Sequence, residues 1–86
     1  MEQILIIEDD IALNKGLCKA LATDSRQLIS CTEIRTARDQ ILCNTPSLIR
    51  LDINRPDGSG LDFLKEIISA FFFNHKPDGF TWIRVL

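Results

Sequence analysis

The sequence predicts an α/β fold in which a parallel sheet carries helices on both faces. Residues 3–7 and 48–53 form apolar runs with the continuous hydrophobic character of strands that are buried on both sides. Strands that alternate with helices of this length specify right-handed crossovers and parallel pairing. With 86 residues, of which 45% are hydrophobic, the chain suffices for one small domain.

The first strand is expected over residues 3–7, and a helix is expected over residues 11–22. Asp10 has the short acceptor side chain of a helix N-cap, and apolar residues recur behind it at three- and four-residue steps. The apolar stripe of this amphipathic helix comprises Leu13, Leu17, Ala20 and Leu21. Gly16 lies inside the helix and is expected to cost about 1 kcal/mol relative to alanine.

A second strand and a second helix are expected in the middle of the chain. Residues 27–31 have the character of a short strand. Residues 36–39 resemble a capping signal, which predicts a short helix that continues through Leu42. Asn44 and Pro46 are expected to end it.

The third strand covers residues 48–53 and is followed by a turn that includes two glycines. Helical spacing then returns over residues 61–69. Its apolar stripe comprises Leu61, Leu64 and Ile68, broadened by Phe63 and Ile67. The chain thus divides into a βαβαβα domain at 1–69 and a divergent aromatic tail at 70–86, in which residues 81–86 are a candidate fourth strand.

Composition argues against several functional classes. The net charge is −2 and no cluster of Lys or Arg forms a stripe that could follow phosphates, so no contact with nucleic acid is expected. Three widely spaced cysteines, Cys18, Cys31 and Cys43, support neither a disulfide framework nor a zinc site. No apolar stretch approaches about 18 residues, and acids stand where a secretory signal would carry positive charge. We expect a cytoplasmic protein without membrane contact.

Carboxylates at the ends of two predicted strands are the candidate functional residues. Glu8 and Asp9 follow the first strand, and Asp52 lies at the end of the third. Ligands of open parallel sheets bind beyond the carboxyl ends of the strands, so these acids are expected around one crevice. Three carboxylates about 5 Å apart repel by roughly 3 kcal/mol per pair at an effective dielectric constant of 20. The cluster therefore predicts a divalent cation, and Mg²⁺ accepts such ligands.

Two acid-bearing motifs flank one βαβα stretch. The first is ILIIEDD, and the second is LDINRPDGSG, which LDFLKEI follows directly. Together they make the chain similar to the receiver domain of bacterial two-component response regulators, especially the winged-helix transcription-factor type. The resemblance implies a flavodoxin-like receiver fold that is incomplete, with about three βα units and an irregular aromatic tail.

The resemblance also implies a role for each acid. Asp52 corresponds to the phosphoacceptor, Glu8 and Asp9 to the acidic pair, and the backbone carbonyl of Asn54 would complete the Mg²⁺ site. In family members the aspartate attacks a phosphoryl group carried by a sensor histidine kinase, and Mg²⁺ neutralises charge on the transferring oxygens. The implied function is phosphorelay signalling linked to transcription regulation, and the chain is not expected to be an enzyme.

The chain departs from the family pattern at several positions. Family receivers carry Ser or Thr at the end of the fourth strand and Lys at the end of the fifth, and the resemblance ends before either. Arg50 stands where the family has an aliphatic residue, on the same strand face as Asp52. Arg50 is therefore buried and unpaired, paired with the acidic cluster, or placed on an edge strand from which it reaches water.

Two functions remain open at this point. The first is a receiver that accepts a phosphoryl group on Asp52. The alternative is an inactive pseudo-receiver that acts as a protein-binding module. The missing strands predict an exposed sheet edge, through which the chain would form a homodimer or a heterodimer.

Overall fold

A computed structural model describes residues 2–44, 46–53, 60–74 and 82–85. The elements, in chain order, are β1 (Glu2–Ile7), α1 (Ile11–Leu21), β2 (Arg26–Cys31), α2 (Ile34–Cys43), β3 (Leu48–Leu51), α3 (Gly60–Asn74) and β4 (Trp82–Val85). The strands within these ranges form one parallel sheet of order β2-β1-β3-β4. The α/β fold with a parallel sheet, predicted from the sequence, is confirmed.

Strand β1 lies inside the sheet, between β2 and β3. In the parallel register, Ile4 is opposite Leu28 on one side and Leu48 on the other. Every β1 residue from Ile4 to Ile7 is buried. The continuous apolar run of β1 thus matches a strand covered on both faces.

The apolar core lies on one face of the sheet, beneath α2 and α3, and we call this the α2/α3 face. Successive strand residues alternate between faces, so odd-numbered positions of β1 and β3 point into this core. The buried cluster comprises Leu5, Ile7, Cys31, Ala37, Ile49, Leu51, Phe63 and Ile67.

An ion pair joins α2 to α3 at the rim of this core. The Arg38 guanidinium donates two hydrogen bonds to the Glu66 carboxylate, at 2.7 Å from Nε and 3.0 Å from Nη2. The Arg38 guanidinium carbon also lies 5.7 Å from the centre of the Phe63 ring, within the range of a cation–π contact. The pair orients the two helices, although its exposure to solvent keeps its contribution to stability small.

The opposite face of the sheet, which we call the α1 face, is packed differently. Helix α1 lies against β1 and β2, and Asn14 is its buried residue. The predicted apolar stripe does not reach the interior: Leu13 and Ala20 are exposed, and Leu17 and Leu21 are only half-buried. Asn14, which is not part of the predicted stripe, is the residue of α1 that is buried.

Two helix boundaries differ from the prediction. Helix α2 begins at Ile34 after the N-cap residue Glu33, whose side chain makes no cap hydrogen bond, so Thr36 lies inside the helix rather than at its start. Helix α3 continues to Asn74 instead of ending at residue 69. No glycine or proline interrupts the sequence between Leu61 and Asn74, so nothing local ends the helix earlier.

Arg50 lies within the sheet, because β4 pairs with β3 on the side away from β1. The alternative in which Arg50 lies on an edge strand is therefore wrong. Its Nε is buried and has no hydrogen-bond partner, and among the described residues the side chain forms no ion pair. Its neighbours in register are Ile6 on β1 and the exposed Arg84 on β4. Of the three alternatives predicted for Arg50, the buried and unpaired state is the one observed for its Nε atom.

Candidate functional site

The backbone brings the carboxyl ends of three strands together. Ile7 and Leu51 are opposite each other in the register of β1 and β3, so Glu8 and Asp52 leave the sheet side by side. The Asp52 amide donates to the Ile7 carbonyl at 3.2 Å, and the Glu8 amide donates to the Cys31 carbonyl at 3.0 Å. These two hydrogen bonds extend the ladders past the last strand residues and fix both acids at one edge of the sheet.

Three of the four predicted site residues meet at this edge. Glu8, Asp9 and Asp52 each offer a carboxylate oxygen, and these oxygens all lie within 4.8 Å of one another. Glu8 is buried, and Asp9 and Asp52 are half-buried. The fourth predicted ligand, Asn54, lies outside the described residues. The sequence thus predicted that Asp52 would meet Glu8 and Asp9, which lie 44 and 43 positions earlier in the chain.

Electrostatics within the cluster favour a positive partner. Burial is the main cause of a raised pKa for the Glu8 carboxyl group, and its contacts with Asp9 and Asp52 raise that pKa further. The Asp10 backbone amide acts in the opposite direction by donating to Glu8 Oε2 at 3.2 Å. Because the pKa of Glu8 stays raised despite this hydrogen bond, the ionised form of Glu8 is disfavoured at this position.

The donor set fits Mg²⁺. This ion takes oxygen ligands in octahedral geometry, and two oxygens on its opposite sides are about 4 Å apart. The observed limit of 4.8 Å exceeds that span only slightly. Such a separation would allow the three acids to share one ion, either directly or through a bound water. Glu8, Asp9 and Asp52 are the described residues that would hold the ion.

The three consecutive acids after β1 have two different roles. Asp10 is the N-cap of α1, and its Oδ1 accepts a hydrogen bond from the Leu13 amide at 3.0 Å. The predicted capping role of Asp10 is therefore confirmed. Its side chain stabilises the start of the helix, whereas Glu8 and Asp9 turn toward Asp52.

Gly60, the first residue of α3, lies against the backbone that follows Asp52. A Cβ atom at position 60 would be 2.5 Å from the Ile53 Cα and 2.9 Å from the Ile53 carbonyl oxygen. Both neighbours are main-chain atoms, which cannot rotate away. Glycine is required here because the helix start and the strand end approach too closely for any side chain.

Asn14 also belongs to the site, although the sequence offered no signal for it. Its side-chain amide donates to the Glu8 carbonyl and to the Cys31 carbonyl, both at 3.0 Å. An asparagine within an amphipathic helix is ordinarily assigned to the solvent-facing side. Its role becomes evident only in the folded structure, where the carbonyls of Glu8 and Cys31 lie within hydrogen-bond distance of its side-chain amide.

Comparison with known proteins finds sequence relatives, while no family model matches the chain. The transcriptional regulatory protein BasR of Escherichia coli is 40% identical over 65 residues, or 76% of this chain. The KDP operon transcriptional regulatory protein KdpE of the same organism is 30% identical over 67 residues, or 78% of this chain. The phosphate regulon transcriptional regulatory protein PhoB, also of E. coli, is 31% identical over 65 residues, or 76%. The chain spans 28% to 30% of the length of these relatives.

A parallel α/β sheet with acids at adjacent strand ends is the architecture of receiver domains, and the relatives are two-component response regulators. The chain is a homologue of these response regulators, and its described residues have the parallel α/β arrangement of a receiver fold. The resemblance inferred from the two sequence motifs is thereby confirmed. Within the described ranges, no helix has the length and apolar character needed to cross a membrane.

Proposed function

We propose that this chain accepts a phosphoryl group on Asp52 from a sensor histidine kinase, with Mg²⁺ held by Glu8, Asp9, Asp52 and the carbonyl of Asn54. The observation that carries the proposal is the meeting of three carboxylates, contributed by two strands, within 4.8 Å. Homology to response regulators supports the same chemistry. The proposal places the chain in cytoplasmic phosphorelay signalling linked to transcription regulation.

Asp52 is suited to act as the nucleophile. Its carboxylate is half-buried, so it is held by the strand end and remains open to a donor. One carboxylate oxygen forms a bond to phosphorus while the bond from phosphorus to the donor histidine nitrogen breaks, and the histidine recovers a proton. Mg²⁺ supplies neutralising charge for the transferring phosphoryl oxygens. The chain is a stoichiometric acceptor in this scheme rather than an enzyme.

Phosphorylation can be tested with a small-molecule donor. The protein is incubated with acetyl phosphate and Mg²⁺, and intact mass is measured. We expect one phosphoryl adduct on the parent protein and none on Asp52→Asn. Asp10→Asn is the matched control, because it removes an acid from the same run yet retains a helix-capping side chain. A folded parent protein that acquires no adduct, or an Asp52→Asn variant that acquires one, contradicts the proposal.

A second candidate function is a pseudo-receiver that acts only by binding other proteins. The observation that favours it is the composition of β4: residues Trp82–Val85 contain no Ser or Thr, the residue types that the family carries at the end of this strand. A phosphoryl group on Asp52 would then lack its usual switch partner. Binding to a sensor kinase or to an intact regulator would be the remaining activity.

The binding function predicts self-association or pairing through the outer strands. Among the described strands, β2 and β4 each leave one side of the sheet unpaired, and such edges are templates for a further strand. Sedimentation equilibrium over a range of concentrations measures the effect. A homodimer that persists with Asp52→Asn supports binding independent of phosphorylation. A monomer at all concentrations restricts the pseudo-receiver to heterologous partners.

A further inference from the structure

The amide of Asn14 connects three elements beside the acidic cluster. The side chain is 1% exposed. Its Nδ2 donates to the carbonyls of Glu8 and Cys31, each at 3.0 Å. Its Oδ1 accepts hydrogen bonds from the Ser30 hydroxyl and, at 3.6 Å, from the Cys18 thiol. One side chain of α1 thus binds the ends of β1 and β2.

The hydrogen bonds define the orientation of this amide. An asparagine side chain has two N–H donors and one carbonyl oxygen with two acceptor sites, and all four are used. The reversed amide would place its oxygen against two carbonyl oxygens. Because the buried Asn14 amide has a partner for each of its donors and acceptor sites, the network favours a single orientation of this side chain.

Asn14 holds the backbone of Glu8 through a hydrogen bond to its carbonyl. The Glu8 amide donates to the Cys31 carbonyl at 3.0 Å, and the Glu8 carbonyl accepts from Asn14. Both polar groups of the Glu8 main chain are therefore attached to neighbouring elements. The peptide that begins with the Glu8 carbonyl leads directly into Asp9, so a rotation of this carbonyl moves two of the three clustered carboxylates.

We infer that Asn14 is a positioning residue for the metal site: by bridging the Glu8 and Cys31 carbonyls, it aims the Glu8 and Asp9 carboxylates at Asp52. The inference rests on the proposed function, because it concerns the same Mg²⁺ ligands. Asn14 does not touch the ion in this arrangement. Partners of this kind, which orient ligands through hydrogen bonds, typically change metal affinity by 10- to 100-fold when they are removed.

A purely structural role makes a different prediction from a positioning role. If Asn14 only joins α1 to the sheet, its loss lowers the free energy of unfolding while the protein that remains folded binds Mg²⁺ normally. If it orients the ligands, the folded variant binds Mg²⁺ more weakly. Affinity must therefore be measured on folded protein, separately from stability.

The experiment compares Asn14→Ala with two control variants by isothermal titration calorimetry with Mg²⁺. Ser30→Ala removes one donor to Asn14 Oδ1 and leaves both bonds from Nδ2. Ile67→Val loosens the core on the other face of the sheet. Circular dichroism establishes that each sample is folded, and trimethylamine N-oxide, which favours the compact state, is added equally to all samples if any variant unfolds.

We expect Asn14→Ala to bind Mg²⁺ at least tenfold more weakly than the parent protein, and both control variants to bind within about twofold of it. Equal affinity in Asn14→Ala and the parent overturns the inference and leaves the proposed function standing. An equal loss of affinity in Ile67→Val also overturns it, because the effect would then follow general loosening. No Mg²⁺ binding by the folded parent removes the proposed function and this inference together.

Discussion

The two faces of the sheet have different interiors. On the α2/α3 face, side chains from β1, β3 and α3 form a continuous apolar cluster. On the α1 face, the buried residue of the covering helix is an asparagine, and a buried arginine nitrogen has no hydrogen-bond partner. The same sheet therefore has an apolar buried cluster on one side, whereas on the other side Asn14 and the Arg50 Nε are buried along with Ile4 and Ile6.

This difference separates stability from chemistry. Apolar burial is the main favourable term in folding, so the α2/α3 face should supply most of the folding free energy. The polar network on the α1 face costs desolvation, and its bonds to Glu8 and Cys31 lead to the acidic cluster. Substitutions on the two faces should therefore change the free energy of unfolding by different amounts, and in some cases in opposite directions.

The largest effect is expected from Phe63→Ala. Phe63 is 2% exposed on the α2/α3 face, whereas Leu13 of α1 is 49% exposed. We expect Phe63→Ala to lower the free energy of unfolding by about 3 to 5 kcal/mol. Leu13→Ala should lower it by about 1 kcal/mol or less. Urea unfolding measures both, with Phe63→Leu as the milder substitute if Phe63→Ala does not fold. Equal losses of unfolding free energy at Phe63 and Leu13 would contradict the expectation that the α2/α3 face supplies most of the stability.

Arg50→Met, unlike Phe63→Ala, should raise the free energy of unfolding. The unbranched methionine keeps the apolar stem and removes the Nε that is buried without a hydrogen-bond partner. We expect a gain of about 1 to 3 kcal/mol in the free energy of unfolding. Arg84→Met is the matched control, because Arg84 is opposite Arg50 in register but exposed, and its effect should be near zero. Destabilisation by Arg50→Met would mean that the guanidinium forms a favourable contact in solution.

Glu8→Gln tests the charge cluster through pH. The pKa of Glu8 is raised in the folded state, so its contribution favours folding at low pH and is lost as the pH rises through that folded-state pKa. Without Mg²⁺ at neutral pH, we expect Glu8→Gln to be more stable than the parent protein. The free energy of unfolding should be higher by on the order of 1 kcal/mol.

The advantage of Glu8→Gln should vanish in acid, where Glu8 of the parent is also neutral. Saturating Mg²⁺ should reverse the order at neutral pH, since a ligand that binds only the folded state stabilises it. Thermal unfolding at several pH values measures these differences, and Asp24→Asn, at an exposed acid, is the control. An advantage of Glu8→Gln that does not change with pH contradicts this account.

The smallest expected effect is that of Gly16→Ala in α1. A Cβ at this position meets nothing within 4 Å, so alanine adds no clash and removes the backbone entropy penalty of a helical glycine. We expect the free energy of unfolding to rise by about 0.5 to 1 kcal/mol. Urea unfolding with Lys15→Ala as the exposed control checks this value. A loss of stability would show that the outer side of α1 is packed in solution.

Hydrophobic pattern predicted the parts of the fold in which local sequence and tertiary packing agree. Strand β1 combines a continuous apolar run with burial on both sides, and its end was placed correctly at Ile7. The clustering of Glu8, Asp9 and Asp52 followed from the rule that parallel strands end at one edge. These predictions needed only the periodicity of the chain and the direction of the strands.

Other features depend on partners that are distant in sequence. Burial of Asn14 requires acceptors and donors from β1 and β2, as well as Cys18 one helical turn away, and no local pattern announces them. The interior position of Arg50 depends on β4, whose pairing partner lies more than thirty residues earlier in the chain. Helix propensity and patterning carry no information about such contacts.

Gly60 has a consequence for how this sequence tolerates change. Every substitution at this position must separate the start of α3 from Ile53, the residue next to Asp52. A substitution at position 60 therefore changes the backbone beside Asp52 while all three acids remain in the sequence. The geometry of the acidic cluster thus depends on a residue that carries no charge and has no side chain.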